Sequence, residues 1–414
     1  MRAGAAGVAD RAVGSPSRPS LRVRYRLTPW WVRVLAVFAA SRVVTTAIMM
    51  AFASKQADNS WTAANPGYFD FARIWDGHWY FIVAVTGYPS VLPLTDAGEV
   101  AENAWAFMPA YPALVRLLML VTGGSYPVVA VIVSVAFAAG TALLFYKLMN
   151  LVLPSGTALF AVVLFCFAPL SPILQVAYAE PMHTFFLTLA LYLLLRRDYW
   201  RLLPVIAIMA LTRPSGLAFA LALLLHVIHR WVTRKTDPYP RHEIVASIVA
   251  GLFSAFMGVA WLLIAAAVTG SFTAYTDTEF AWRRAYSAGE EFIPFSPWFE
   301  GAGFWLGQPA GGFIVGAAVA VLVGIVVLLF SPLGKRLGVD LRFWVASYLV
   351  YLLAVFFPQS STFRLFVPMF PLLGALAVPK SWVYRLVLVL LCVAGQVGWI
   401  HIAWWVDGYD WTPP

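Results

Sequence analysis

Phe107-Met108-Pro109-Ala110-Tyr111-Pro112-Ala113-Leu114-Val115-Arg116-Leu117-Leu118-Met119-Leu120-Val121-Thr122 is the stretch on which the topology of this chain turns. It is apolar, but Pro109, Pro112 and Arg116 interrupt it. Its unbroken run is too short to cross the ~30 Å hydrocarbon core of a bilayer comfortably. A segment that enters and leaves on one side, or lies on the surface, fits this composition better than a span. The choice fixes the side on which every later loop falls.

The surrounding chain makes a bilayer the relevant solvent. Of 414 residues, 61% are apolar and only 11% charged, with a mean hydropathy of +0.79. A water-soluble fold is excluded by that balance. Apolar segments fall near 31–53, 126–146, 157–174, 178–195, 202–212, 214–230, 244–268, 309–330, 343–357, 363–378 and 386–406. Residues 1–29 are rich in Arg, Ser and Pro without apolar periodicity and read as a disordered basic tail. Ala51-Phe52-Ala53 imitates a leader cleavage site, but Arg42 interrupts the apolar region and the tail is long for a leader. Cys166 and Cys392 lie inside apolar stretches, so no disulfide framework or Cys-based metal site is expected.

Positive charge arbitrates the topology. With a cytoplasmic N-terminus and 107–122 returning to the outer side, 20 of the 28 Lys and Arg residues fall inside. If 107–122 spans instead, every later loop flips and the bias is lost. The expectation is eleven spans, one re-entrant or juxtamembrane segment and an outer C-terminus. The net charge of +9 then reflects inner loops, and no nucleic-acid partner is expected. Fourteen of the 19 carboxylates fall outside, mostly in two loops at 54–106 and 269–308. Long outer loops rich in Trp, Tyr, Asp and Glu are where function is sought.

In the first of these loops, aromatic and aliphatic residues at 71, 74, 75, 78, 79 and 82 predict a helix lying in the membrane interface. Asp76 sits there among Trp75, Trp79 and Tyr80, with Arg73 and His78 near. A carboxylate in a partly dry aromatic cleft suits a general base; an anchor helix whose Asp faces water has the same spacing. Arg213 lies at a turn between segments sharing about 27 residues, so the turn sits within the outer leaflet. Arg364 lies at a similar depth. An intramembrane guanidinium is functional by default and matches a lipid phosphate. Pairing with Glu180 or snorkelling is the equal alternative. Glu180 opens a span, where helix capping suffices to explain it, and His183 shares its face. Arg42 reads as structural, paired inside the bundle. The loop 269–308 gathers Asp277, Glu279, Trp282, Arg283, Arg284, Tyr286, Glu290 and Glu291. This composition suits sugar binding and solvated loops equally. No nucleotide-binding or zinc-protease motif occurs.

Several of these stretches resemble the PIG-V-like family of mannosyltransferases. Ser41-Arg42, Trp75-Asp76-Gly77-His78-Trp79-Tyr80, Gly87-Tyr88-Pro89 and Ala106-Phe107-Met108-Pro109-Ala110-Tyr111-Pro112 follow its motif order. Tyr178-Ala179-Glu180-Pro181, Thr212-Arg213-Pro214-Ser215-Gly216 and Arg364-Leu365-Phe366 continue it. Met108 replaces a usual Phe, and Pro181 a small residue. The resemblance implies a GT-C fold with inverting sugar transfer, by family mannose, from a polyprenyl-phosphate carrier at the non-cytoplasmic face. It implies Asp76 as the catalytic carboxylate. Arg213 and Arg364 are then expected to stabilise the departing phosphate, and His78, Trp79, Tyr80, Glu180 and His183 are candidates for contacts to sugar or acceptor. No cofactor or metal is required, although outer carboxylates could hold a divalent ion. The expected partners are the lipid-linked donor, a lipid-linked or glycan acceptor and membrane lipids. The expected setting is a bacterial plasma membrane. A lipid-sugar flippase, or a non-catalytic subunit of a glycosylation complex, is the alternative. Inverted repeats would favour the flippase, and retained Asp76 and Arg213 argue against the subunit.

Overall fold

The computed structural model describes residues 27–284, 293–308, 311–358 and 360–406. Residues 1–26 of the expected tail, Tyr286, Glu290, Glu291 and the chain beyond 406 lie outside the described residues. Within them the regular secondary structure is all helical apart from one antiparallel bridge between Leu94 and Val100.

Six helices are long and apolar enough to cross a bilayer: Trp30–Ala53, Tyr126–Asn150, Gly216–Thr233, Arg241–Thr269, Gly311–Phe330 and Trp382–Trp404. Shorter apolar helices cover Ala110–Thr122, Ser155–Phe167, Glu180–Leu195 and Tyr199–Ala210, and Val339–Val355 adds another. The deciding stretch forms the 13-residue helix Ala110–Thr122, which Gly123 ends with φ +68°. Its length of about 20 Å falls short of the hydrocarbon core. Tyr111 and Val115 are buried while Arg116, Leu120 and Val121 are exposed. The Tyr111 hydroxyl donates to Ala130 O at 3.1 Å, tying this helix to Tyr126–Asn150.

Three sequence expectations are revised. The helix expected across 71–82 is broken: Tyr68–Phe71 and Asp76–Thr86 are separate, because Trp75 takes φ +58°. The stretch 363–378 is a 3-10 segment, Ser360–Met369, followed by the short helix Leu372–Leu376. Pro368 and Pro371 remove the amide hydrogens a continuous span would need. The stretch 157–174 ends as α-helix at Phe167 and continues as the 3-10 turn Ser171–Gln175.

Arg42 sustains that last break from within the bundle. Its guanidinium donates to Cys166 O at 2.7 Å, Ser171 O at 2.9 Å and Gln175 Oε1 at 2.9 Å. These partners are carbonyl oxygens, not the carboxylate that a buried ion pair would supply. Backbone acceptors released by a broken helix must be satisfied inside a membrane protein, and Arg42 does so. Two further close contacts position the site. Gly216 meets Gly258 so tightly that a Cβ at 216 would stand 2.6 Å from Gly258 N. The amide of Ala177 donates to Ala72 O at 2.9 Å, seating the 168–179 stretch against the chain that leads into Asp76.

Candidate active site

Asp76 is the first residue of the Asp76–Thr86 helix, where a negative side chain is favoured by the helix dipole. Its amide donates to the Tyr178 hydroxyl oxygen at 3.2 Å. Its carboxylate accepts from Arg364, 288 residues away in the chain. Arg364 comes from the 3-10 segment Ser360–Met369, and its guanidinium carbon lies 5.5 Å from the Tyr178 ring centroid.

Glu180 stands beneath this pair at the start of the Glu180–Leu195 helix. Its Oε1 lies 2.9 Å from Arg213 Nη1 and 3.6 Å from Arg364 Nη1. Asp76, Arg364, Glu180 and Arg213 therefore alternate in sign along one chain of contacts. Their side chains are between 4% and 17% exposed, so this pairing operates in a largely dry site. Glu180 Oε2 and Arg364 Nε have no hydrogen-bond partner among the described residues.

The Arg213 turn is fixed from several sides. Thr212 Oγ1 donates to Ile208 O at 2.6 Å, and Ser215 Oγ donates to Arg213 O at 3.2 Å. His183 Nε2 lies 2.9 Å from Ser215 Oγ. The amide of Ala110 donates to Leu211 O at 2.9 Å, which attaches the deciding short helix to this turn.

A cavity of about 490 Å³ opens over the cluster and is lined by Asp76, Trp79, Tyr80, Arg213 and Arg364. Trp79 stacks on Phe107 with centroids 5.6 Å apart and meets Trp282 edge-on at 5.2 Å. Glu180 supports the cavity through Arg213, and His183 through Ser215. His78 instead faces Trp61, at 5.6 Å between ring centroids, and Phe81 at 6.4 Å. Burial, and then the charge of Arg73, lowers its pKa.

The far wall holds Glu279, Trp282 and Arg283 of the 269–308 group, together with Trp61, Glu102, Tyr275 and Tyr351, which sequence reasoning did not single out. Most come from the Ala274–Arg283 helix, where Glu279 and Arg283 are one turn apart. That spacing was visible, but a solvated helix face shows it too. Burial raises the pKa of Glu102, and burial raises that of Glu279 against the opposing charge of Arg283. A second, apolar void of about 250 Å³ runs between the Gly216–Thr233 and Arg241–Thr269 helices. It shares Pro214, Tyr275, Glu279, Arg283 and Tyr351 with the first. Among the described residues, no three His, Cys, Asp or Glu side chains gather as ligands for a metal ion.

Such a site can hold a polar group at the charge cluster, an aromatic-faced ring beside it and an apolar chain in the adjoining groove. Comparison with known proteins bears on which. The family described as mannosyltransferase (PIG-V) matches residues 28–299. No curated protein matches the chain. Among solved structures, the archaeal oligosaccharyltransferase AglB from Archaeoglobus fulgidus, in complex with an inhibitory peptide and a dolichol-phosphate, is similar at 14% identity and a TM-score of 0.44. The match covers 92% of this chain but 56% of that one, a likeness too loose to carry a functional conclusion.

Proposed function

Because the chain belongs to the mannosyltransferase (PIG-V) family and is a multi-pass membrane glycosyltransferase, we propose that it moves a mannosyl group from a polyprenyl-phosphate donor to an acceptor hydroxyl at the extracytoplasmic face. The observation that carries this reading is the meeting of Asp76, Arg213 and Arg364 in one cavity, from three distant parts of the sequence.

Asp76 takes the acceptor proton while the acceptor oxygen attacks C1 of the sugar. The bond from C1 to the phosphate oxygen breaks, and its electron pair leaves with the polyprenyl phosphate. A single displacement inverts the anomeric centre. Arg213 and Arg364 place positive charge where the negative charge develops. Glu180 holds both guanidiniums at the cavity floor, and Trp79 and Trp282 offer faces for the sugar ring. The apolar groove suits the isoprenoid chain. No nucleotide is needed, since the carrier delivers an activated sugar.

The proposed face follows from three helices that run away from the charge cluster. Tyr126–Asn150 begins beside Gly77, to which the Tyr126 hydroxyl donates at 2.8 Å, and ends at Lys147. Glu180–Leu195 ends at Arg196 and Arg197, and Gly216–Thr233 at Arg230 and Arg234. A basic end is a cytoplasmic end, which directs the cavity to the other side.

The test is transfer from radiolabelled polyprenyl-phosphate mannose by purified protein. Asp76→Asn is expected to lower turnover by about 10²–10⁴ while the protein still folds and inserts. Near-normal turnover in that variant removes the base assignment. Movement of the donor across vesicles without transfer, by the parent protein, replaces the enzyme with a flippase.

A further inference from the structure

Two arginines of the cavity are already neutralised. Arg213 is held by Glu180 at 2.9 Å and Arg364 by Asp76. Arg283 differs. Its one carboxylate contact among the described residues is Glu279 Oε2 at 3.9 Å, beyond hydrogen-bond reach. Its side chain is 13% exposed, so its charge is only weakly screened by water.

Its place is equally specific. The apolar groove, walled by Leu217, Met257, Val259 and Leu262, joins the cavity along a seam that includes Arg283 and Glu279. Leu217 and Val259 are exposed on the helix flanks that a bilayer would cover. An amphiphile with its chain in the groove and its sugar in the cavity must carry its phosphate across that seam. We infer that Arg283 is the cation that receives the lipid phosphate, an assignment that rests on the donor chemistry proposed above and deepens it.

Charge accounting agrees. The donor is a phosphodiester with one negative charge, and breaking the C1–O bond leaves a monoester with close to two. Arg213 and Arg364 enter the reaction as halves of ion pairs. Among the described residues no acid lies within hydrogen-bonding distance of Arg283, whose planar fork matches two phosphate oxygens. Burial raises the pKa of Glu279, against the opposing charge of Arg283.

The experiment compares farnesyl monophosphate with farnesol as probes for the full-length protein in nanodiscs, by titration calorimetry. The parent is expected to prefer the phosphate. Arg283→Gln is expected to lose about tenfold or more in affinity for farnesyl monophosphate and nothing for farnesol, with Arg283→Lys in between. Equal phosphate affinity in Arg283→Gln and the parent overturns the assignment and leaves the proposed reaction standing. Equal losses for both probes also overturn it, since they mark a packing defect. A parent that does not distinguish the probes defeats the donor chemistry itself. Should Arg283→Gln not fold, Arg283→Lys carries the test: a loss confined to the phosphate is expected, and unchanged affinity overturns the assignment.

Discussion

Glu279 shows how one side chain reports on its surroundings. A carboxyl whose pKa is raised by folding keeps a proton that the unfolded chain has already released. Its stabilising contribution is complete below the ordinary glutamate range and is lost as pH rises through the raised value. Glu279→Gln removes that dependence. The variant should match the parent near about pH 4 and unfold at higher temperature than the parent toward neutrality, as read by thermal unfolding across the pH range. An unchanged difference at all pH values rules Glu279 out as the source. Asp76, Arg213 and Arg364 were legible in the sequence because charges at membrane depth are rare enough to stand out. Glu102 was not, and Glu279 and Arg283 were read only as members of an ambiguous loop, since a loop carboxylate or guanidinium looks the same lining a cavity or facing water. Arg73 and His78 were grouped with Asp76 on the assumption of one helix; the φ of +58° at Trp75 parts Arg73 from it, and His78, although in the Asp76–Thr86 helix, turns toward Trp61 and Phe81.

Among the elements, the Gly216–Thr233 and Arg241–Thr269 pair sets the position of the Arg213 turn. The two helices touch at Gly216 and Gly258, and Ser254 Oγ donates to Gly216 O at 2.8 Å. Small residues are what allow such an approach where no hydrophobic force drives helices together. Gly216→Ala puts a methyl group 2.6 Å from backbone, so the pair must separate. It should destabilise the protein by about 1–3 kcal/mol and reduce transfer, because Arg213 lies three residues before the contact. Thermal unfolding and turnover measured on the same preparation check this, and a variant unaffected in both shows the crossing to be slack. The long apolar helices were legible from length and hydropathy. The break at 168–179 was not, since apolar composition persists through it and its backbone groups are satisfied by partners far off in sequence, whereas Pro368 and Pro371 could have flagged the one at 360–371.

At the scale of the molecule, the proposed orientation makes a separate prediction. Phe272 is exposed beside the cavity-bearing end, and Arg234 is exposed at the opposite one. A membrane-impermeant maleimide applied to intact cells should label Phe272→Cys and spare Arg234→Cys until the cells are permeabilised. The two native cysteines are buried and give little background. The reverse pattern would put the cavity on the cytoplasmic side. The whole bundle also has an order of construction built into it. Arg42 leaves the ribosome 124 residues ahead of Cys166, the first of its acceptors outside its own helix. During synthesis the opening helix must therefore wait with a solvated guanidinium, near the translocon or a headgroup, until the broken hairpin arrives. The seating of the Trp30–Ala53 helix then waits on a segment made 124 or more residues later.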